Sequence, residues 1–120
     1  MTRLLVVEDN ERLASLLAEG LDMRGYACDI VHLLEDADAA LAAASFDAII
    51  LDPPRAGARE QVAQLADAKT PVIAYVSCNP SSFARDAEIL CKGGYTLEWV
   101  QPVGQFRWST HVELAVKFSR

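Results

Sequence analysis

Phe46-Asp47-Ala48-Ile49-Ile50-Leu51-Asp52-Pro53-Pro54-Arg55 is the stretch that decides the fold. Ala48 to Leu51 is an unbroken apolar run, the pattern of a strand buried on both faces of a parallel sheet. It stops at a carboxylate, Asp52. The diproline that follows holds the chain extended and prevents a helix from starting at once. A buried strand that ends in an acid and a sharp exit is the form expected at the carboxyl end of an α/β sheet.

Towards the N-terminus the same form recurs. Leu4-Leu5-Val6-Val7 is apolar and ends in Glu8-Asp9-Asn10. Leu13, Leu16, Leu17 and Leu21 then share one helical face, and Gly25 is a stop. Residues 26–32 read as a second strand and the Ala-rich residues 35–44 as a helix. Towards the C-terminus a weak helix is expected over 58–68, carrying Val62, Leu65 and Ala66. Pro71 precedes a fourth strand, Val72 to Val76, which runs into the loop Ser77-Cys78-Asn79-Pro80. Ser81 or Ser82 is the expected cap of the next helix, which carries Phe83, Ala87 and Leu90 and stops at Gly93-Gly94. Residues 95–101 and 111–118 read as two final strands around a loop with Gly104 and Trp108. With no helix between them they should pair antiparallel.

Alternating strands and helices followed by two strands predict a doubly wound, three-layer α/β/α sandwich. The expected strand order is 2-1-3-4-6-5, with strand 6 antiparallel. Sites in such sheets collect at the carboxyl ends of the strands. That rule draws together Glu8, Asp9, Asp52 and the loop 77–80.

The chain has 120 residues, of which 52% are apolar, enough for one domain with its own core. No apolar run is long enough to span a bilayer, and the first residues lack the features of a signal peptide. A cytoplasmic location is the expectation. The three cysteines, Cys28, Cys78 and Cys91, have no paired spacing, which argues against a disulfide framework. Cys28 and Cys91, on strand and helix patterns, read as small buried hydrophobes. His32 and His111 stand alone, as structural histidines do. Charge is uneven: residues 1–52 hold three bases and eleven acids, a net of -8, and residues 53–120 hold eight bases and six acids, a net of +2.

Residues 1–52 resemble a response-regulator receiver domain, a flavodoxin-like fold. The matching segments are Leu4 to Asn10 and Phe46 to Asp52. The resemblance implies Glu8 and Asp9 as acids for magnesium and Asp52 as a phosphoacceptor that also touches the metal. Hard carboxylate oxygens suit magnesium, and the ion neutralises charge on a transferred phosphoryl group. Beyond Asp52 the receiver pattern lapses. Pro53-Pro54-Arg55-Ala56-Gly57 replaces the usual continuation, and Gln101-Pro102 stands near the place of the family's Lys-Pro.

Residues 47–120 resemble the C-terminal half of the S-adenosylmethionine-dependent RNA uracil-5-methyltransferases. Three segments carry this in order: Asp52 to Gly57, Tyr75 to Pro80 with Phe83-Ala84-Arg85-Asp86, and Phe106 to Glu113. The resemblance implies Cys78 as nucleophile toward C6 of uracil, Glu113 as the base that removes the C5 proton, and Asp52 as a residue near the target base. This is covalent catalysis with a general base.

Each half lacks parts of the other family's machinery. The first turn, Glu8 to Arg12, has no glycine where class I methyltransferases hold their donor on a Gly-rich turn. The net charge of -6 disfavours RNA, whose binding depends on neutralising phosphates. The sequence therefore reads as a single hybrid domain, 1–52 receiver-like and 53–120 methyltransferase-like, an engineered fold chimera without native activity. It is expected not to be an enzyme, to require no cofactor beyond weak magnesium, not to bind S-adenosylmethionine, and to have no partner, RNA included.

Overall fold

The computed structural model describes residues 2–53, 59–104 and 112–120. Ten elements alternate along the chain: β1 (Arg3–Glu8), α1 (Glu11–Asp22), β2 (Ala27–Val31), α2 (Leu34–Ala43), β3 (Ala48–Asp52), α3 (Arg59–Leu65), β4 (Val72–Ser77), α4 (Pro80–Lys92), β5 (Thr96–Gly104) and β6 (Val112–Ser119). The six strands form one sheet in the order β2-β1-β3-β4-β6-β5. β1 pairs parallel with β2 and β3, and β3 parallel with β4. β6 lies antiparallel between β4 and β5. The expected order and the antiparallel sixth strand are both observed.

The two faces of the sheet are covered unequally. Leu5 and Val7 of β1, Ile49 and Leu51 of β3, Ile73 and Tyr75 of β4, and Val116 and Phe118 of β6 point to one side. There they form a single cluster with Ala37 of α2, Val62 and Leu65 of α3, and Phe83 and Leu90 of α4. Side chains alternate along a strand, so Leu4, Val6, Ile50, Val72, Ala74, Val76, Ala115 and Lys117 point to the opposite side. Of the described helices only α1 lies there, against β1 and β2. It buries Leu4, Val6 and its own Ala14. Ile50, Val72, Ala74, Val76 and Ala115 stay half-buried.

Local signals explain most boundaries. Asn10 caps α1, its side chain accepting from Leu13 N at 3.0 Å. Gly25 at φ 91 and Gly94 at φ 113 turn the chain where a side chain would be strained. Gly93 serves a different need: a Cβ there would meet Ala66 Cβ at 2.5 Å, so α4 approaches the end of α3 through it. α3 is shorter than the expected 58–68 because the chain tightens after it. Asp67 N bonds Gln64 O and Ala68 N bonds Leu65 O, the three-residue spacing of a 3-10 turn. β5 is longer than expected and runs on through Pro102 to Gly104. It is an edge strand, where a missing N–H costs little. Arg120 fastens the C-terminus. Its guanidinium donates to Gly93 O at 2.6 Å, Ala66 O at 3.1 Å and Ala68 O, and lies over Tyr95.

Candidate active site

The parallel strands β1, β3 and β4 deliver their carboxyl ends to one edge, and β6, running the other way, starts there. Glu8 is the register partner of Asp52. Leu51 pairs with Tyr75, so Asp52 stands level with Val76. Ser77 pairs with Leu114. Cys78 follows Ser77 and Glu113 precedes Leu114, so both adjoin the last pair of the β4–β6 ladder. The residues singled out from sequence thus meet along one edge. Pro54 to Gly57 of the diproline motif and Phe106 to His111 of the final motif lie outside the described residues.

The loop with Cys78 is held by short local bonds. Ser77 is buried; its hydroxyl donates to Asn79 O at 2.9 Å and accepts from Asn79 N at 3.1 Å. Asn79, not Ser81 or Ser82, caps α4. Its side chain accepts from Ser81 N at 3.1 Å, and Pro80 fills the first helical position. An Asn before a Pro at a helix start was the available signal. Cys78 is exposed between these anchors. Cys28 differs: burial, then Asp22 and Asp29, push its thiol up from its ordinary value, away from thiolate chemistry. Cys91 is exposed rather than buried, a correction to its reading as a packed hydrophobe.

Beneath the loop lies a polar pair that sequence reasoning missed. Tyr75 Oη donates to Asp86 Oδ2 at 2.6 Å, both side chains being buried. The Arg85 guanidinium stands 3.4 Å from Asp86 Oδ1. Burial, and then the bond to Asp86, push the Tyr75 phenol well above its ordinary value. It stays a donor and ties β4 to α4 directly behind the Cys78 loop. An Asp at a helix position beside Phe83 and Leu90 was the only trace of this in the sequence.

At the β1 end, Glu8 is almost fully buried, and among the described residues its Oε2 meets no hydrogen-bond partner. Asn10 N donates to Oε1 at 3.1 Å. Burial first, then contact with Asp52, raises its pKa to about 8. His32 Nδ1 lies 3.0 Å from Glu8 O. Among the described residues no group of three or more His, Cys, Asp or Glu is arranged to hold a metal ion. A cavity of about 290 Å³ lined by Phe46, Lys69 and Thr70 lies at the other end of the sheet, by the starts of β3 and β4.

A six-stranded sheet of this order, its sixth strand antiparallel, is a Rossmann-like architecture of the kind methyltransferases have. The family model described as tRNA (Uracil-5-)-methyltransferase matches residues 9–120, and the chain belongs to that family. An uncharacterized RNA methyltransferase of Zymomonas mobilis is 59% identical over 75 residues, 62% of this chain and 19% of that protein. The 23S rRNA (uracil(1939)-C(5))-methyltransferase of Colwellia psychrerythraea is 45% identical over 74 residues, 62% of this chain and 16% of that protein. The chain thus spans less than a fifth of the length of these relatives. Among solved structures, a putative methyltransferase of Thermoplasma acidophilum superposes with a TM-score of 0.62 at 14% identity, over 100% of this chain and 68% of that one. The receiver domain HemR of Leptospira biflexa gives 0.62 at 21% identity, over 74% of this chain and 76% of that one. Both likenesses are of fold.

These findings correct three expectations. Reading the chain as a non-enzyme fails because the family match runs through the supposed join, from residue 9 to the C-terminus. Excluding S-adenosylmethionine fails for the same reason and on a physical ground. The turn after β1 is built with no positive φ, Asn10 lying at φ -80, so it has no steric need of glycine. Among the described residues Glu8 also keeps a buried oxygen unpartnered there, which suits the hydroxyl and ammonium groups of such a donor. Excluding RNA fails because it rested on total charge. The acids concentrate in residues 1–52, whereas residues 53–120 carry a net of +2. Among the described residues, no helix is long and apolar enough to cross a membrane.

Proposed function

We propose that this chain is a hybrid α/β domain, joined within β3, that carries the nucleophile and base of uracil C5 methylation on its carboxyl edge. The observation that supports the reading is the register of β4 and β6, whose last pair, Ser77 and Leu114, adjoins Cys78 and Glu113 in the chain. The Cys78 thiolate adds to C6 of a uracil and makes C5 nucleophilic. Glu8 and the turn after it would hold S-adenosylmethionine, which when bound would supply the methyl group. The Glu113 carboxylate takes the C5 proton, the Cys78–C6 bond breaks, and the thiolate is restored. Asp52, one strand from Cys78, holds the target base. The uracil is presented by RNA. Hybrid origin is supported by the extent of the likeness: the 59% identity to the Zymomonas mobilis protein covers 75 residues, 62% of this chain.

The experiment uses RNA containing 5-fluorouracil, whose C5 carries no proton for a base to remove. With S-adenosylmethionine present it should leave a covalent protein–RNA adduct, lost in Cys78→Ala. With ordinary uracil RNA, Glu113→Gln should accumulate the same kind of adduct. No adduct in either arm would overturn the assignment.

A second reading is favoured by the Glu8–Asp52 register: Asp52 accepts a phosphoryl group, with Glu8 and Asp9 holding magnesium. Acetyl phosphate with magnesium should then add the mass of one phosphoryl group, and Asp52→Asn should not gain it. An unchanged mass in the unmodified chain rejects this reading.

A further inference from the structure

Among the described residues, no helix covers the sheet face opposite α2, α3 and α4 over β4, β6 and β5. Val76, Ala115, Trp99 and Val103 share this face by register. Trp99, 51% exposed, and Val103, 45% exposed, leave apolar area on this face, with Gln101 between them in register with Ala115. Two charges interrupt it. Glu113 and Lys117 lie on β6 two residues either side of Ala115, so both point to the same face as Ala115.

That spacing is self-complementary. Consider two such faces stacked about a two-fold axis that lies in the interface and crosses β6 at Ala115. The two β6 strands then run antiparallel, and Glu113 of each copy faces Lys117 of the other. Lys117 pairs in register with Trp99, and Glu113 with Val103. The same axis therefore sets Trp99 of one copy over Val103 of the other. Stacked sheets lie about 10 Å apart, within reach of Glu and Lys side chains extended toward each other. The alternative axis, along β6, would stack Glu113 on Glu113 and Lys117 on Lys117 and is disfavoured by repulsion. An isologous contact needs a patch that complements itself, and this one does.

We infer that a second copy of this chain docks on the open sheet face, with the two β6 strands antiparallel about Ala115. The inference stands apart from the proposed chemistry, although Glu113 belongs to both, so association and substrate compete for its carboxylate.

Sedimentation of the full chain from micromolar to millimolar concentration tests it. A monomer–dimer equilibrium is expected. Glu113→Lys and Lys117→Glu should each weaken the dimer by about tenfold or more, since like charges placed across an interface repel. The double reversal should recover the dimer to within about threefold, because each copy then offers the same pairs exchanged. Should a reversal fail to fold by circular dichroism, Trp99→Lys on the exposed edge should abolish the dimer instead. A chain that stays monomeric throughout overturns the inference and leaves the face to a different macromolecule. A dimer indifferent to all of these substitutions overturns it as well.

Discussion

On one face of the sheet Leu5, Ile49, Ile73 and Phe118 are fully buried under three helices. On the other face Ile50, Val72, Ala74 and Val76 are similar in kind and only half-buried. Ile49 and Ile50 are consecutive, belong to the same strand and pair with the same neighbours. What separates them is the direction of the pleat. Apolar side chains stabilise a fold only in proportion to the area that something else removes from water. The covered face therefore supplies the stability that holds the carboxyl edge in register, and among the described residues no helix shields the other face over β4 and β6.

The sharpest test of this comparison truncates both isoleucines. Ile49→Ala should cost about 2–5 kcal/mol, the range for emptying a packed core site. Ile50→Ala should cost about 1 kcal/mol or less, because its site is already half in water. Urea denaturation of the two variants, read as midpoints with a common slope, decides it. Equal losses would mean that the second face is covered in solution.

The carboxyl edge gives the next largest effect. Unfolded Glu8 loses its proton near 4.5, whereas the folded side chain keeps it up to about 8. Between those values protons are released on unfolding. The stabilisation is thus complete below 4.5 and is lost as pH rises through about 8, by an amount on the order of a few kcal/mol. Thermal melts between pH 4.5 and 8 without divalent ions should show this decline. Glu8→Gln keeps the shape and removes the titration, so its profile should be flatter and cross above that of the unmodified chain near pH 8. Magnesium that restored stability at pH 8 would favour the phosphoacceptor reading.

Tyr75→Phe removes one buried donor from Asp86 while Arg85 stays beside it. A loss of about 1–3 kcal/mol is expected, as for a hydrogen bond to a charged group. The variant should also loosen the Cys78 loop, read as faster alkylation of Cys78 relative to Cys91. A change in stability with no change at Cys78 would confine the pair to the core.

Much of this was legible from sequence, for physical reasons. The strand order follows from alternation and handedness, and its two helix-free final strands mark the antiparallel end. The shared edge of Glu8, Asp52 and the loop 77–80 is legible because carboxyl ends converge wherever strands run parallel. Coverage was not legible. Leu13, Leu16, Leu17 and Leu21 are spaced as one face, yet Leu13 is 41% exposed and Leu16 56% exposed. Periodicity says which residues face together and is silent on what they face. The Tyr75–Asp86 pair joins residues 11 positions apart, and only the packing of α4 on β4 brings them into contact. Total charge misled over RNA because charge acts locally.

The smallest effect bears most directly on chemistry. Asn79 caps α4, and its backbone closes the turn with Ser77. Asn79→Ala keeps the backbone bonds and removes the bond from Ser81 N. A cost of about 1 kcal/mol is the usual value for a lost cap. Asn79→Ser offers an oxygen again and should recover most of it. If the cap only stabilises the helix, adduct formation at Cys78 under conditions where both variants are folded should not change. If it also holds the loop, the alanine variant should form adduct more slowly and the serine variant at the original rate. The second result is expected, because Cys78 lies between the two residues that make the turn, and freedom gained at Asn79 passes to its thiol one bond away along the chain.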